Sequence, residues 1–436
     1  MEAYVINTGW LYSPDKKLIS DAQVIIEDSK FSYVGKRQND VPRGATKIEY
    51  PKGVMLPPFI NAHTHLPETL IRGLCDDATL QVWLYDHVWK VEPAMTAEDA
   101  KIGALLGIAE MISSGTIGFI DQYFYANSIA EAVFETGVKA YLAPSIFDTP
   151  ECGSIEKSFQ KNNEVFDKWH GKDNRIFIGY GAHAPYTVPK EWLTKIVQEV
   201  KDKDTKLHIH LNETKKEVED ANKEWGCSPI ELMDQLDALK FIQAAHCTHT
   251  SEKDRELLFK NQTPVLSCPQ SNMKIADGIA PLPDYISRGI PVVLGTDGSA
   301  SNNNLDILEE ARLVSLVYKG LHFDPTIMDT DTCLSLITKN NKILFPNHSY
   351  MGMITEGAPA DLTIFNLDHW STTPVIRPIS NILFAASGSQ VALTMSNGKI
   401  LFRDNEFLTL KIEKIMVDAQ RATDQMMERS GYQVRQ

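Results

Sequence analysis

The strongest constraint on the fold is a rhythm in the middle of the chain. From the segment "VMLPPFINAHTH" to about Tyr350, short apolar runs alternate with helical stretches. Eight runs read as strands: "VMLPPFINAHTH", "TIGFIDQYF", "AYLAPSIFD", "IFIGYGAHAP", "KLHIHLNET", "FIQAAHCTH", "TPVLSCPQS" and "PVVLGTDGS". The stretch "TAEDAKIGALLGIAEMISSG" between two of them starts on a Thr cap and stops at Gly115. "SEKDRELLFKN" and "LDILEEARLVSLVYKG" read as helices too. Strands separated by helices pair in parallel, and eight such units predict a closed (β/α)8 barrel. An open doubly wound sheet is the rival, but no GxGxxG follows an early strand to favour it.

Both flanks read as β. "AYVINTGWLYS" and "AQVIIEDSKFSYVGK" precede the barrel pattern. "GMITEGAPADLTIFNL" and "ILFAASGSQVALTMSNGKILFRDNEF" follow it, with "SNGK" as a hairpin signal. The simplest arrangement is a small composite domain from residues 1–56 and 355–410, with the barrel at 57–354 inserted. A charged helical segment at 411–436 ends the chain.

Composition narrows the partners. The net charge is -14, which argues against nucleic acid or an anionic membrane as partner and leaves a small molecule open. The first residues show no basic start followed by an apolar block, and no apolar run approaches the ~20 residues of a membrane helix. The cysteines at 75, 152, 227, 247, 268 and 333 are scattered without a CxxC pair. That pattern reads as reduced thiols and a cytoplasmic protein.

Polar residues gather at one end of the strands. His63 and His65 are two apart, so they share a strand face. His210 ends "HIH", with Glu213 three residues on; His246 lies in "AAHCTH" and Asp297 in "LGTDGS". All sit near the C-terminal ends of their strands, where barrel enzymes build active sites. Each alone has a plainer explanation: a satisfied core histidine, or, for Glu213, a solvated charge opening the helix of "NETKKEVED". Burying so many polar groups without mutual satisfaction is costly, and a shared cation would satisfy them together. Three imidazoles and a carboxylate suit Zn²⁺ or Fe²⁺.

The motifs "FINAHTH", "HIHLNET", "AAHCTH" and "LGTDGSASNNNLDILEEAR" resemble the amidohydrolase superfamily. The chain is most similar to its group of methylthioadenosine/S-adenosylhomocysteine deaminases and s-triazine chlorohydrolases. The resemblance spans nearly the whole chain and implies that the two flanks form a composite β-sandwich. It implies that His63, His65, His210 and Asp297 bind a metal, that Glu213 shuttles a proton, and that His246 polarises the attacking water. Asp297 would be both ligand and catalytic group, taking up the second proton. Trp83, Glu92 and His183 match substrate contacts, with Glu92 placed to hold ribose hydroxyls; Trp83 as core and Glu92 as a helix-end charge are the plainer alternatives. The fourth strand, "IFIGYGAHAP", lacks the lysine of binuclear members, so one metal is expected, zinc or alternatively iron.

Two departures bear on substrate and packing. Arginines that hold an amino-acid tail in S-adenosylhomocysteine deaminases are missing from "YLAPSIFDTPECGSIEKSF"; Pro144 and Ser154 stand near those places. "TKNNKILFPNHSY" replaces a small-residue helix. The expectation is hydrolytic deamination of an amino-substituted N-heterocycle, foremost an adenine nucleoside such as 5'-methylthioadenosine, S-adenosylhomocysteine, adenosine or deoxyadenosine. The alternatives are loss of chloride or alkylthiol from a triazine, a guanine-, pterin- or cytosine-type deaminase, amide-ring opening, and a metal-free scaffold. Relatives of this kind are commonly homo-oligomeric.

Overall fold

A computed structural model describes residues 3–12, 18–147, 154–345 and 350–433. The chain opens with four strands, β1 (Tyr4–Tyr12), β2 (Leu18–Glu27), β3 (Lys30–Lys36) and β4 (Thr46–Leu56). Pro57 and Pro58 then divide the apolar run that the sequence presents as one strand. Proline has no N–H to give to a ladder. Residues 54–56 therefore end β4, and β5 (Phe59–Thr64) starts the barrel.

The barrel continues through β6 (Thr116–Tyr123), β7 (Lys139–Ile146), β8 (Ile176–Ile178), β9 (Tyr180–Ala182), β10 (Leu207–Leu211), β11 (Ile242–His246), β12 (Val265–Ser267) and β13 (Val292–Leu294). Every ladder in this sheet is parallel. β8 and β9 share the fourth position, so eight places are filled in the expected order. Their break falls at Gly179, where an added Cβ would meet Tyr141 Cε1 at 2.5 Å. The ring closes past the end of β13: Asp297 N donates to His63 O at 2.9 Å, and Thr296 N to Asn61 Oδ1 at 3.0 Å. The helix Ala97–Ser113 begins on a Thr96–Asp99 capping box, as its sequence suggests.

The two ends of the chain form one further sheet. β14 (Leu362–Asn366), β15 (Val391–Ser396), β16 (Lys399–Arg403) and β17 (Glu406–Phe407) join the first four strands in the order β17-β16-β15-β14-β4-β1-β2-β3. Only the β1–β4 ladder in it is parallel. The sheet curls until the turn after β2 meets the turn after β15: a Cβ on Gly398 (φ +74°) would stand 2.7 Å from Ser29 Cα. Phe31, Val24, Leu393 and Met395 then share one enclosed apolar cluster. The run "ILFAAS" is not a strand. Pro378 starts a short helix, Pro378–Phe384, that takes up its first half.

The terminal helix Ile412–Ser430 packs on the barrel through Ala419, Ala422 and Met426. Thr423 Oγ1 donates to Leu70 O at 2.9 Å, and Arg429 Nη2 to Asp99 Oδ2 at 2.5 Å. The end of the expected segment, residues 434–436, and residues 346–349 of "TKNNKILFPNHSY" lie outside the described residues. Among the described residues, no helix is long and apolar enough to cross a membrane, and five free cysteines are present. Cys152 lies outside them.

Candidate metal centre and substrate cavity

Eight of the nine residues singled out in the sequence line one cavity at the C-terminal end of the barrel, and the ninth, His63, is fully buried. Backbone geometry aims several of them. His246 (φ +71°) and Asp297 (φ +66°) stand in the left-handed region, which non-glycine residues seldom occupy. Such outliers concentrate where a chain turns sharply to present a side chain.

His63, His65 and Asp297 offer ligand atoms within 4.8 Å of one another, and so do His63, His210 and His246. Asp297 Oδ1 lies 3.4 Å from His63 Nε2 and 3.2 Å from His65 Nε2. Carbonyls fix two tautomers. His65 Nδ1 lies 2.6 Å from Gln122 O, and His210 Nδ1 lies 2.7 Å from His183 O. A carbonyl only accepts, so each Nδ1 carries a hydrogen, and in the neutral ring each Nε2 turns a lone pair to the centre.

A third tautomer is set by a longer chain. Gln243 Nε2 donates to Leu344 O at 3.3 Å, which turns Oε1 toward His208 Nδ1 at 3.4 Å. His208 Nδ1 then donates, and its Nε2 accepts from His63 Nδ1 at 2.7 Å. The buried Nε2 of His63 is left without a hydrogen-bond partner. An orphaned lone pair beside two imidazole lone pairs and a carboxylate fits a divalent cation of borderline softness.

His246 differs. Asn272 Nδ2 donates to its Nδ1 at 3.2 Å, which puts the ring hydrogen on Nε2. That N–H lies 3.5 Å from Glu213 Oε1. Burial depresses the imidazole to about 3, so the ring stays neutral.

Glu213 does not cap its helix. Thr214 is the N-cap of the helix Lys215–Trp225, and the Glu217 carboxylate receives the N–H groups of Asn212 and Glu213 at 3.1 and 2.7 Å. The Glu213 side chain is left buried against His246. Burial pushes its carboxyl well above the usual range, and the nearby Asp277 and Asp297 charges add to this. Burial also raises Asp277, to about 7. Two neighbouring buried carboxyls tend to share a proton rather than ionise together.

The outer wall comes from the segment after β5. Asp121 Oδ1 accepts from Thr64 Oγ1 at 2.9 Å and from Leu66 N at 2.6 Å, shaping the buried turn Leu66–Ile71. Beyond it, a π-helical turn over Trp83–Val88 carries Trp83, whose buried Nε1 has no partner. Glu92 Oε1 accepts from Tyr123 OH at 2.5 Å. His183 packs on Phe147, with ring centroids 4.8 Å apart. Pro144 and Ser145 line an adjoining hollow, together with Trp89, Phe124, Phe147 and Lys161.

Sequence reasoning missed several groups here. Glu68 and Ser301 stand in the cavity wall, and Ser271 Oγ donates to Asp297 Oδ2 at 2.7 Å. His208 and Asp277 are the others. Glu68 and His208 carried a signal, since each lies within three residues of a singled-out histidine. Asp277 carried none, being far along the chain from Glu213.

Comparisons with known proteins show what the chain is similar to. A protein named 5-methylthioadenosine/S-adenosylhomocysteine deaminase from Dictyoglomus thermophilum is 38% identical, covering 86% of this chain and 88% of that protein. A 5'-deoxyadenosine deaminase from Methanosarcina barkeri is 36% identical, covering 95% and 96%. The crystal structure of an adenosine deaminase from Xanthomonas campestris with bound zinc superposes with a TM-score of 0.93 at 28% identity, covering 98% of each chain. A zinc-bound atrazine chlorohydrolase from Arthrobacter aurescens, 20% identical with a TM-score of 0.89, shares the fold. The Amidohydrolase family matches residues 54–401. On the barrel, the converging imidazoles and these likenesses together, the chain belongs to the amidohydrolase family.

Proposed function

We propose that the chain is a zinc-dependent hydrolytic deaminase of adenine nucleosides that releases ammonia. The carrying observation is the convergence of His63, His65, His210 and Asp297 beside a buried Glu213 and a neutral, N–H-bearing His246. Relatives named as adenosine-type deaminases support it. His63, His65, His210 and Asp297 are the residues to hold one divalent cation, zinc before iron. That cation, when bound, supplies a Lewis acid that brings the pKa of water down toward neutrality.

Glu213 takes a proton from the attacking water and passes it to a ring nitrogen. His246 Nε2–H steadies the new oxygen at the amino-bearing carbon. Asp297 takes the second proton from the new hydroxyl and passes it to the amino group, and the C–N bond breaks to release ammonia. Trp83, Glu92 and His183 hold the nucleoside, with Glu92 accepting from sugar hydroxyls. Residue types of this kind, with a non-ligand glutamate moving protons, suit deamination in general.

Among the residues lining the adjoining hollow the cation is Lys161, a point charge rather than a guanidinium fork. A bidentate grip on a carboxylate needs a guanidinium, and no arginine lines the hollow among the described residues. The buried thiols of Cys227, Cys247, Cys268 and Cys333 suit a reducing, cytoplasmic setting. The test is ammonia release from a panel of amino-purines, pterins, pyrimidines and triazines. Turnover confined to adenine nucleosides is expected; release of chloride or alkylthiol without ammonia overturns the reading.

A further inference from the structure

Glu68 is in an unusual position. It belongs to the turn Leu66–Ile71, all six of whose residues are buried, and is itself 5% exposed. Its Oε2 has no hydrogen-bond partner. A buried carboxyl with an unmet oxygen costs free energy that an apolar side chain would not. Simple packing is therefore a poor account of it.

The surroundings are built to admit it. A Cβ on Gly298 would fall 1.7 Å from Oε2 and 2.6 Å from the carboxyl carbon. The loop after Asp297 thus carries a glycine where any side chain would strike Glu68. Glu68 lines the cavity together with His65, Glu92, Asp297 and Ser301, and no lysine or arginine lines it among the described residues. Glu92 already receives the Tyr123 hydroxyl, so that donor does not serve Glu68. Neither group of ligand atoms at the candidate metal centre includes Glu68.

We propose that Glu68 is a specificity-determining residue that accepts a hydrogen bond from the substrate, forming with Glu92 a paired acceptor wall that selects a donor-bearing nucleoside. This rests on the deaminase reading. The donor has two possible sources, a sugar O–H or the exocyclic N–H of the base, and acceptor chemistry is common to both. A site that hydrogen-bonds a substrate group discriminates strongly against the analogue lacking it, because its own group is then left unmet.

The experiment compares wild type with Glu68→Gln and Glu68→Met, each loaded with zinc. Adenosine, its 2'-deoxy and 3'-deoxy analogues and 6-chloropurine riboside are the probes. kcat/KM is read by turnover and Kd by calorimetry, with zinc content and thermal unfolding measured alongside. The expected result is a loss of about 10- to 100-fold for Glu68→Gln on adenosine at unchanged zinc content. A sugar source predicts that the loss shrinks below about threefold on one deoxynucleoside and persists on 6-chloropurine riboside; a base source predicts the reverse. Kd and kcat/KM within about twofold of wild type for both variants across the panel would overturn the proposal. So would an equal loss on every probe accompanied by loss of zinc, which marks a purely structural role. If wild type binds the panel without releasing ammonia, the deaminase reading falls, and the Kd values alone still decide the role of Glu68.

Discussion

His63 Nδ1 lies 2.7 Å from Nε2 of His208, and the contact runs on through Gln243 to the carbonyl of Leu344. This chain fixes which nitrogen of His63 faces the candidate metal centre. Partners that orient a ligating histidine typically carry 10- to 100-fold in metal affinity. Replacing His208 with Ala, or Gln243 with Leu, is expected to weaken zinc binding by about that factor. Competition against a chromogenic chelator reads it directly. Unchanged affinity in both variants would remove the chain from the account.

Glu213→Gln is expected to lower kcat by about 10²- to 10⁴-fold while zinc content stays at the wild-type level. The isosteric amide keeps the shape but cannot take the proton. Near-normal kcat would move the proton shuttle to another group.

Asp277 gives a test in pH. Burial raises Asp277 to about 7, and burial with the Asp277 and Asp297 charges raises Glu213. Glu213 must be ionised to accept a proton, so kcat/KM should fall as pH drops through the titration of this pair. The acid limb then lies above an ordinary carboxyl value. Asp277→Asn removes one charge that raises Glu213, so the limb should move to lower pH. A kcat/KM profile between pH 5 and 9 checks this, and an unmoved limb counts against the coupling.

Stability has its own probe where the barrel meets the terminal sheet. Lys139 and Asp361 form an ion pair with side chains 1% and 8% exposed, and Asp361 Oδ1 also accepts Asn397 N at 2.7 Å. Removing one partner leaves an uncompensated buried charge. Lys139→Met should destabilise the protein by about 3–5 kcal/mol in chemical denaturation, and the double variant Lys139→Met with Asp361→Leu should recover part of it. A double variant no more stable than the single one would contradict this view of the pair.

The barrel was legible because parallel strands buried on both faces read as short apolar runs between helices. Where the sequence misled, the cause was local. "VMLPPFINAHTH" joins two strands because apolar character says nothing of the missing proline N–H groups. "ILFAAS" is apolar enough for either state, and Pro378 decided for helix. His63, His65, His210, His246 and Asp297 showed their convergence through shared placement at strand ends. Glu68 was hidden in a turn, His208 looked like an ordinary strand histidine, and the pairing of Glu213 with Asp277 arises only on folding.

The most direct measurement is zinc add-back. Protein stripped of metal by chelator is expected to release no ammonia from adenosine, 5'-deoxyadenosine or 5'-methylthioadenosine. Activity should return in proportion to added zinc and level off at one ion per chain, while a His63→Ala, His65→Ala double variant stays inactive throughout. Ammonia release that survives complete removal of metal, or no release from any of these nucleosides with zinc bound, would contradict the account.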